Sequence, residues 1–114
     1  MKNSIKKTKE FKEVYNKRKS FSNDFFVLYT NKKENIDYNR LGISISKKVG
    51  NSVVRHKIKR RIRDVFYKNS NNLKKVYDIV IVCKKKINEI GYKEINDSFI
   101  ELCKKQKIFK ESND

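Results

Sequence analysis

Apolar positions recur along this chain with two periods, and each period predicts its own elements. Phe11, Val14 and Tyr15 fall at i, i+3 and i+4, the spacing of a short amphipathic helix that Thr8 could cap. Residues 20–30 read as one strand, with Phe26 and Leu28 on one face and Phe25, Val27 and Tyr29 on the other. A polar loop over 31–39 leads to a second strand over 40–46, where Leu41, Ile43 and Ile45 share one face and Gly42, Ser44 and Ser46 the other. Such a small-residue face leaves room for something to lie against the sheet, although plain solvent exposure explains it equally well. Lys47 to Asn51 reads as a turn in which Gly50 relaxes the backbone, with Asn51 capping a helix from Ser52 to about Tyr67. After a polar loop over 69–72, the β-branched run 77–83 predicts a buried strand. A last helix over 92–105 carries Ile95, Phe99, Leu102 and Cys103 as its buried stripe.

The order α-β-β-(β)-α-β-α, with room for one more short strand, predicts an α+β fold: a compact single-domain sandwich of helices on one small sheet. No repeat or Pro/Gly-rich linker divides residues 1–114, and residues 1–7 and 107–114 read as mobile tails. No apolar run approaches the length of a membrane span, and the basic start lacks the apolar stretch of a signal peptide. Cys83 and Cys103 sit in apolar contexts, as core thiols in a reducing cytoplasm rather than a disulfide, and His56 alone makes no zinc set.

Charge changes the picture most. With 30 Lys and Arg against 13 Asp and Glu, the net charge of +17 favours a polyanionic partner, since each neutralised phosphate releases a condensed counterion. An abundance of Lys, Asn and Ile could reflect base composition alone. Against that, four of the six arginines, Arg55, Arg60, Arg61 and Arg63, fall within nine residues, and Arg supplies a planar fork that Lys lacks. Residues 47–63 hold Lys47, Lys48, Arg55, Lys57, Lys59, Arg60, Arg61 and Arg63 and no acid. On a helical wheel Val54, Ile58, Ile62, Val65 and Phe66 form an anchoring arc, while Arg55, Lys59 and Arg63 align at i, i+4 and i+8 beside rows containing His56 with Arg60 and Lys57 with Arg61. Like charges at this spacing cost a helix about 0.2–0.5 kcal/mol per pair, a cost that an RNA backbone would offset. The alternatives are a solvated basic face, an anionic membrane surface, a structural RNA-binding protein such as a ribosomal one, and a helix-turn-helix DNA binder. The acids Asp24, Asp37, Asp64, Asp78 and Asp97 are scattered, and no acid–base pair or metal-binding carboxylate cluster is legible, so no catalytic residue is expected in this chain.

Residues 50–63, Gly-Asn-Ser-Val-Val-Arg-His-Lys-Ile-Lys-Arg-Arg-Ile-Arg, closely resemble the signature of the bacterial ribonuclease P protein subunit: a Gly-Asn turn, then a helix reading Arg-Asn-Arg-x-Lys-Arg-x-x-Arg. Arg55, Ile58, Lys59, Arg60 and Arg63 match; His56 replaces the Asn, and Lys57 replaces an Arg and gives up its bidentate fork. The resemblance covers nearly the whole chain. Residues 11–15 look like the family's aromatic first helix, 26–30 like its first strand, 42–48 like the second strand entering the motif, and 78–83 like the later strand.

The resemblance implies an α+β sandwich with a left-handed β-α-β crossover. It implies a subunit of an endoribonuclease that matures the 5′ end of transfer RNA, whose chemistry is carried by an RNA subunit and its Mg²⁺. The implied partners are that catalytic RNA and the 5′ leader of precursor transfer RNA, with neither membrane nor DNA. Lys47, Lys48, Asn51, Arg55, His56, Lys57, Lys59, Arg60, Arg61 and Arg63 would face the catalytic RNA. Phe11, Tyr15, Val27, Tyr29, Ser44 and Cys83 would line the leader cleft, with Tyr29 expected opposite the small Ser44. Exposed aromatics there would stack bases with little sequence preference, although Phe11, Val14 and Tyr15 could equally serve to staple the first helix down.

Overall fold

A computed structural model describes residues 3–110 as three helices on a four-stranded sheet. In chain order these are α1 (Thr8–Asn16), β1 (Ser20–Ser22), β2 (Phe26–Lys32), β3 (Arg40–Ser44), α2 (Ser52–Asn69), β4 (Tyr77–Cys83) and α3 (Tyr92–Lys105). The sheet order is β1-β2-β4-β3. β4 runs antiparallel to β2 and parallel to β3, so β3, α2 and β4 form the β-α-β unit.

Two expectations about the strands change. The segment 20–30 is a hairpin rather than one strand, because the Asn23 side chain accepts from the Phe25 and Phe26 N–H groups at 2.9 and 3.1 Å and turns the backbone. This Asx-type closure supplies the extra strand. It also moves Phe25 out of the ladder, so it packs on the main core instead of beside Val27 and Tyr29. Secondly, β2 and β3 are not neighbours: Tyr29 pairs with Val80 and Ser44 with Val82, so β4 separates Tyr29 from Ser44 on their common face.

Two apolar layers result. Phe26, Leu28, Leu41, Ile79 and Ile81 meet Ile58, Ile62, Val65 and Phe66 of α2 and Ile95, Phe99 and Leu102 of α3. On the opposite face Val80 meets Val14 of α1 and Ile5, with Phe11, Tyr15, Tyr29 and Val82 packed around them. α1 begins at Thr8, but Lys7 rather than Thr8 holds the cap position, where the Glu10 carboxylate accepts from the Lys7 N–H at 3.3 Å.

The described part of each expected tail is tied down. Leu41 donates to the Asn3 carbonyl at 2.7 Å and accepts from the Ile5 N–H at 2.9 Å, so residues 3–5 lie along the free edge of β3 and Ile5 is buried. At the other end Lys74 donates to the Ile108 carbonyl and Lys110 to that of Asn72, both at 2.7 Å, and Ile108 is buried. Two apolar residues within each polar run are too few to show a period, which is why both segments read as arms. Residues 1–2 and 111–114 of the expected tails lie outside the described residues.

One polar group fastens the layers. Arg40 Nε and Nη2 donate to the two Asp78 carboxylate oxygens at 2.8 and 2.7 Å, and Nη1 donates to Glu10 Oε2 at 2.7 Å. A single guanidinium thus ties β3, β4 and α1 together. The hydrogen bond from Arg40 holds the Glu10 carboxyl below its ordinary value, against some desolvation, and the Arg40 guanidinium is itself shifted upward, chiefly by Asp78.

Candidate RNA interface

The turn into α2 is built for closeness rather than for unusual dihedrals. Gly50 has no positive φ; a Cβ there would lie 2.6 Å from Val54 Cγ1, so glycine is needed to let the first helical turn pack back on the loop. Asn51 caps as expected, its side-chain oxygen accepting from the Val54 N–H at 2.9 Å, and Val49 is the buried anchor that leaves Lys47 and Lys48 exposed.

Ile58, Ile62, Val65 and Phe66 bury one side of α2 and thereby aim its cations. His56, Lys57 and Arg60 stand exposed with Ser52 and Val53, and Val53 is 75% exposed. Arg55, Lys59 and Arg63 are half-buried in one row, and Lys59 and Arg63 lie beside Phe11 of α1. Arg61 stands on the other flank and donates to the Ile90 carbonyl at 3.5 Å, while Arg55 Nε donates to the Asn51 carbonyl at 3.4 Å. Among the described residues no α2 cation forms an ion pair, although Asp64 lies on the same helix. By contrast, α3 pairs its charges internally, Lys93 with Asp97 and Lys105 with Glu101, each at 3.8 Å and i, i+4. α2 thus projects an unneutralised positive field of the kind that attracts polyanions. α2 follows a strand and a turn, not a helix, so the helix-turn-helix arrangement is ruled out.

Beside α2 lies the second feature, a cleft between α1 and the sheet lined by Phe11, Tyr15, Ile43, Ser44 and Lys59. Tyr15 meets Tyr29 edge-on with ring centroids 5.0 Å apart and contacts the Ser44 hydroxyl. Burial raises the Tyr15 hydroxyl above its ordinary value, and the Ser44 hydrogen bond partly offsets this. Val27 shares this face through its pairing with Val82. Cys83 does not: it is one step out of phase, packs in the main core under α2, and burial pushes its thiol up to about 12. Val80 and Val82 occupy the place expected for it. Nor is the staple reading of α1 complete, since Val14 is fully buried while Phe11 and Tyr15 keep part of their surface.

Gly42 is a determinant that the strand pattern marked only as small. A Cβ there would sit 2.9 Å from two Phe11 ring carbons and 3.1 Å from Ile5 Cβ. Phe11 therefore lies directly on bare backbone at the cleft's end. Gly42→Ala should displace Phe11 and cost about 1–3 kcal/mol by overpacking, read as a lower urea midpoint. An unchanged midpoint would show that the ring has room to yield.

No three His, Cys, Asp or Glu side chains gather into a metal-ligating group among the described residues, and no helix there is long and apolar enough to cross a membrane.

The family model described as Ribonuclease P matches residues 1–107. A ribonuclease P protein component of Clostridium acetobutylicum is 49% identical over 104 residues, covering 90% of this chain and 87% of the relative. That of Clostridium botulinum strain Langeland is 44% identical over 108 residues, covering 94% and 96%. The Staphylococcus aureus RNase P protein structure superposes with a TM-score of 0.87 at 37% identity, covering 94% of this chain and 97% of that one. The Thermotoga maritima protein gives 0.80 at 29%, covering 90% and 96%.

Proposed function

Because the chain belongs to the bacterial ribonuclease P protein family, we propose that α2 docks the catalytic RNA while the α1–sheet cleft holds the 5′ leader of precursor transfer RNA. At the coarser level, the family is a subunit of the ribonuclease P holoenzyme, and this protein acts with the ribonuclease P RNA in maturing transfer-RNA 5′ ends. The finer assignment rests on one observation: Lys59 belongs both to the unpaired cation row of α2 and to the rim of the aromatic cleft. Phosphates held along Arg55, Lys59 and Arg63 would bring a single strand directly onto Phe11, Tyr15 and Tyr29.

Lys47, Lys48, His56, Lys57 and Arg60 extend the docking surface outward, and Asn51 fixes where the helix begins. Arg61, turned toward Ile90, contributes at its margin. Phosphodiester cleavage is assigned to the RNA subunit and its Mg²⁺. The carboxylates that join α1 to the sheet, Glu10 and Asp78, are already committed to Arg40 and make a poor metal site. The protein's part is to hold and orient RNA in the cytoplasm.

The test is reconstitution with the ribonuclease P RNA, comparing precursor with mature transfer RNA. Tyr29→Ala should weaken precursor binding by about 5- to 100-fold, the loss of one stacked base, and leave mature transfer RNA unaffected. Equal losses on both would remove the leader from the cleft.

A further inference from the structure

A second hollow opens on the other side of Phe11, between residues 3–6 and the later half of α2. Lys6, Phe11, Ile43, Lys59, Arg63 and Tyr67 line it. Phe11, Ile43 and Lys59 also line the α1 cleft, so the two hollows form one track. We propose that this hollow is a separate pocket for a single unpaired leader nucleotide, with its base against Phe11 and Tyr67 and its phosphate on Lys59 and Arg63.

Three observations carry this assignment, which rests on the leader occupying the α1 cleft. The lining combines three aromatic rings, Phe11, Phe66 and Tyr67, with three cations, and among the described residues no carboxylate borders either hollow. The groove at the far end of α1, by contrast, is lined by Glu13 and Glu34 among its lysines and would repel a phosphate backbone. The walls are also built in advance. Backbone hydrogen bonds to Leu41 hold residues 3–5 in place, and Tyr67 meets the buried Phe66 ring edge-on at 5.4 Å while remaining 42% exposed. A pocket already ordered loses little entropy when it is filled.

The experiment measures holoenzyme affinity for precursors whose leaders grow from one nucleotide upward. In Tyr67→Ala the gain on lengthening should stop short, leaving long-leader precursors bound about 5- to 50-fold more weakly and one-nucleotide leaders unchanged. Tyr67→Phe should restore the gain. Lys6→Glu should reproduce the loss, and Lys93→Glu, on α3 away from the track, should not. Equal loss at every leader length, no loss at all, or weakened binding of the catalytic RNA without precursor would each overturn the pocket. Tyr29→Ala separates the two readings: if it remains leader-dependent while Tyr67→Ala does not, only the pocket fails; if neither is leader-dependent, the cleft assignment fails with it.

Discussion

Asp78→Ala is expected to destabilise the fold by about 3–5 kcal/mol, the range for breaking a buried ion pair by removing one partner, with only the outer Glu10 contact left to Arg40. The Asp78 side chain is 1% exposed and that of Arg40 16%, so water cannot readily replace the missing carboxylate. For a domain of this size the melting temperature should fall by well over 10 °C, at about 4 °C or more per kcal/mol. Arg40→Met in the same background should recover much of the loss, because an apolar pair no longer strands a charge. If the single and double variants are equally unstable, the fork is not the source of the effect. Glu10, the outer arm of the same network, gives a pH signature. Its folded value is depressed by Arg40, so its contribution is present above the unfolded carboxylate value of about 4.3 and is lost as pH falls through the folded value. Glu10→Gln should therefore lower stability at neutral pH and flatten the acid limb of the stability curve. An unchanged acid limb would mean that the ion pair contributes nothing in solution.

The second large effect is expected at α2. Replacing Arg55, Lys59 and Arg63 together by Gln keeps much of each stem but removes three charges from one flank. Every phosphate left without its cation should reduce the slope of log affinity against log salt by about 0.7–0.9, and at about 0.1 M salt three such phosphates amount to roughly 10²–10³-fold in affinity, shared between the catalytic RNA and the leader strand. The free protein should respond in the opposite direction, since two like-charge i, i+4 repulsions, each costing about 0.2–0.5 kcal/mol, are relieved. Weaker assembly with an unaltered or slightly more stable fold is the pattern expected of a surface kept for a partner. An unchanged salt slope would place the RNA elsewhere.

Much of the fold is legible in the residue order. The buried stripe of α3 emerges from periodicity and the anchoring arc of α2 from a helical wheel, because burial on one side of a regular element imposes its repeat on the residues; the span of β4 emerges from its unbroken β-branched run. The cap at Asn51 is legible because the need for an acceptor at a helix start is local. The acid-free run 47–63 is legible because charge is a property of composition. Cys83 shows where that logic stops. All seven residues of β4 but Asp78 are apolar or aromatic, so the run carries no alternation, and its phase is set only by pairing with β2 on one side and β3 on the other.

Sequence by itself therefore determined the element order, the buried faces of the helices and the unneutralised cations of α2, each a matter of neighbours within a few residues. Tertiary structure alone decided that β4 lies between Tyr29 and Ser44, that Arg40 joins Glu10 to Asp78 across three elements, and that residues 3–6 wall a pocket with Tyr67. These join residues distant along the chain, and their selection depends on strand order and packing geometry, which no local repeat encodes.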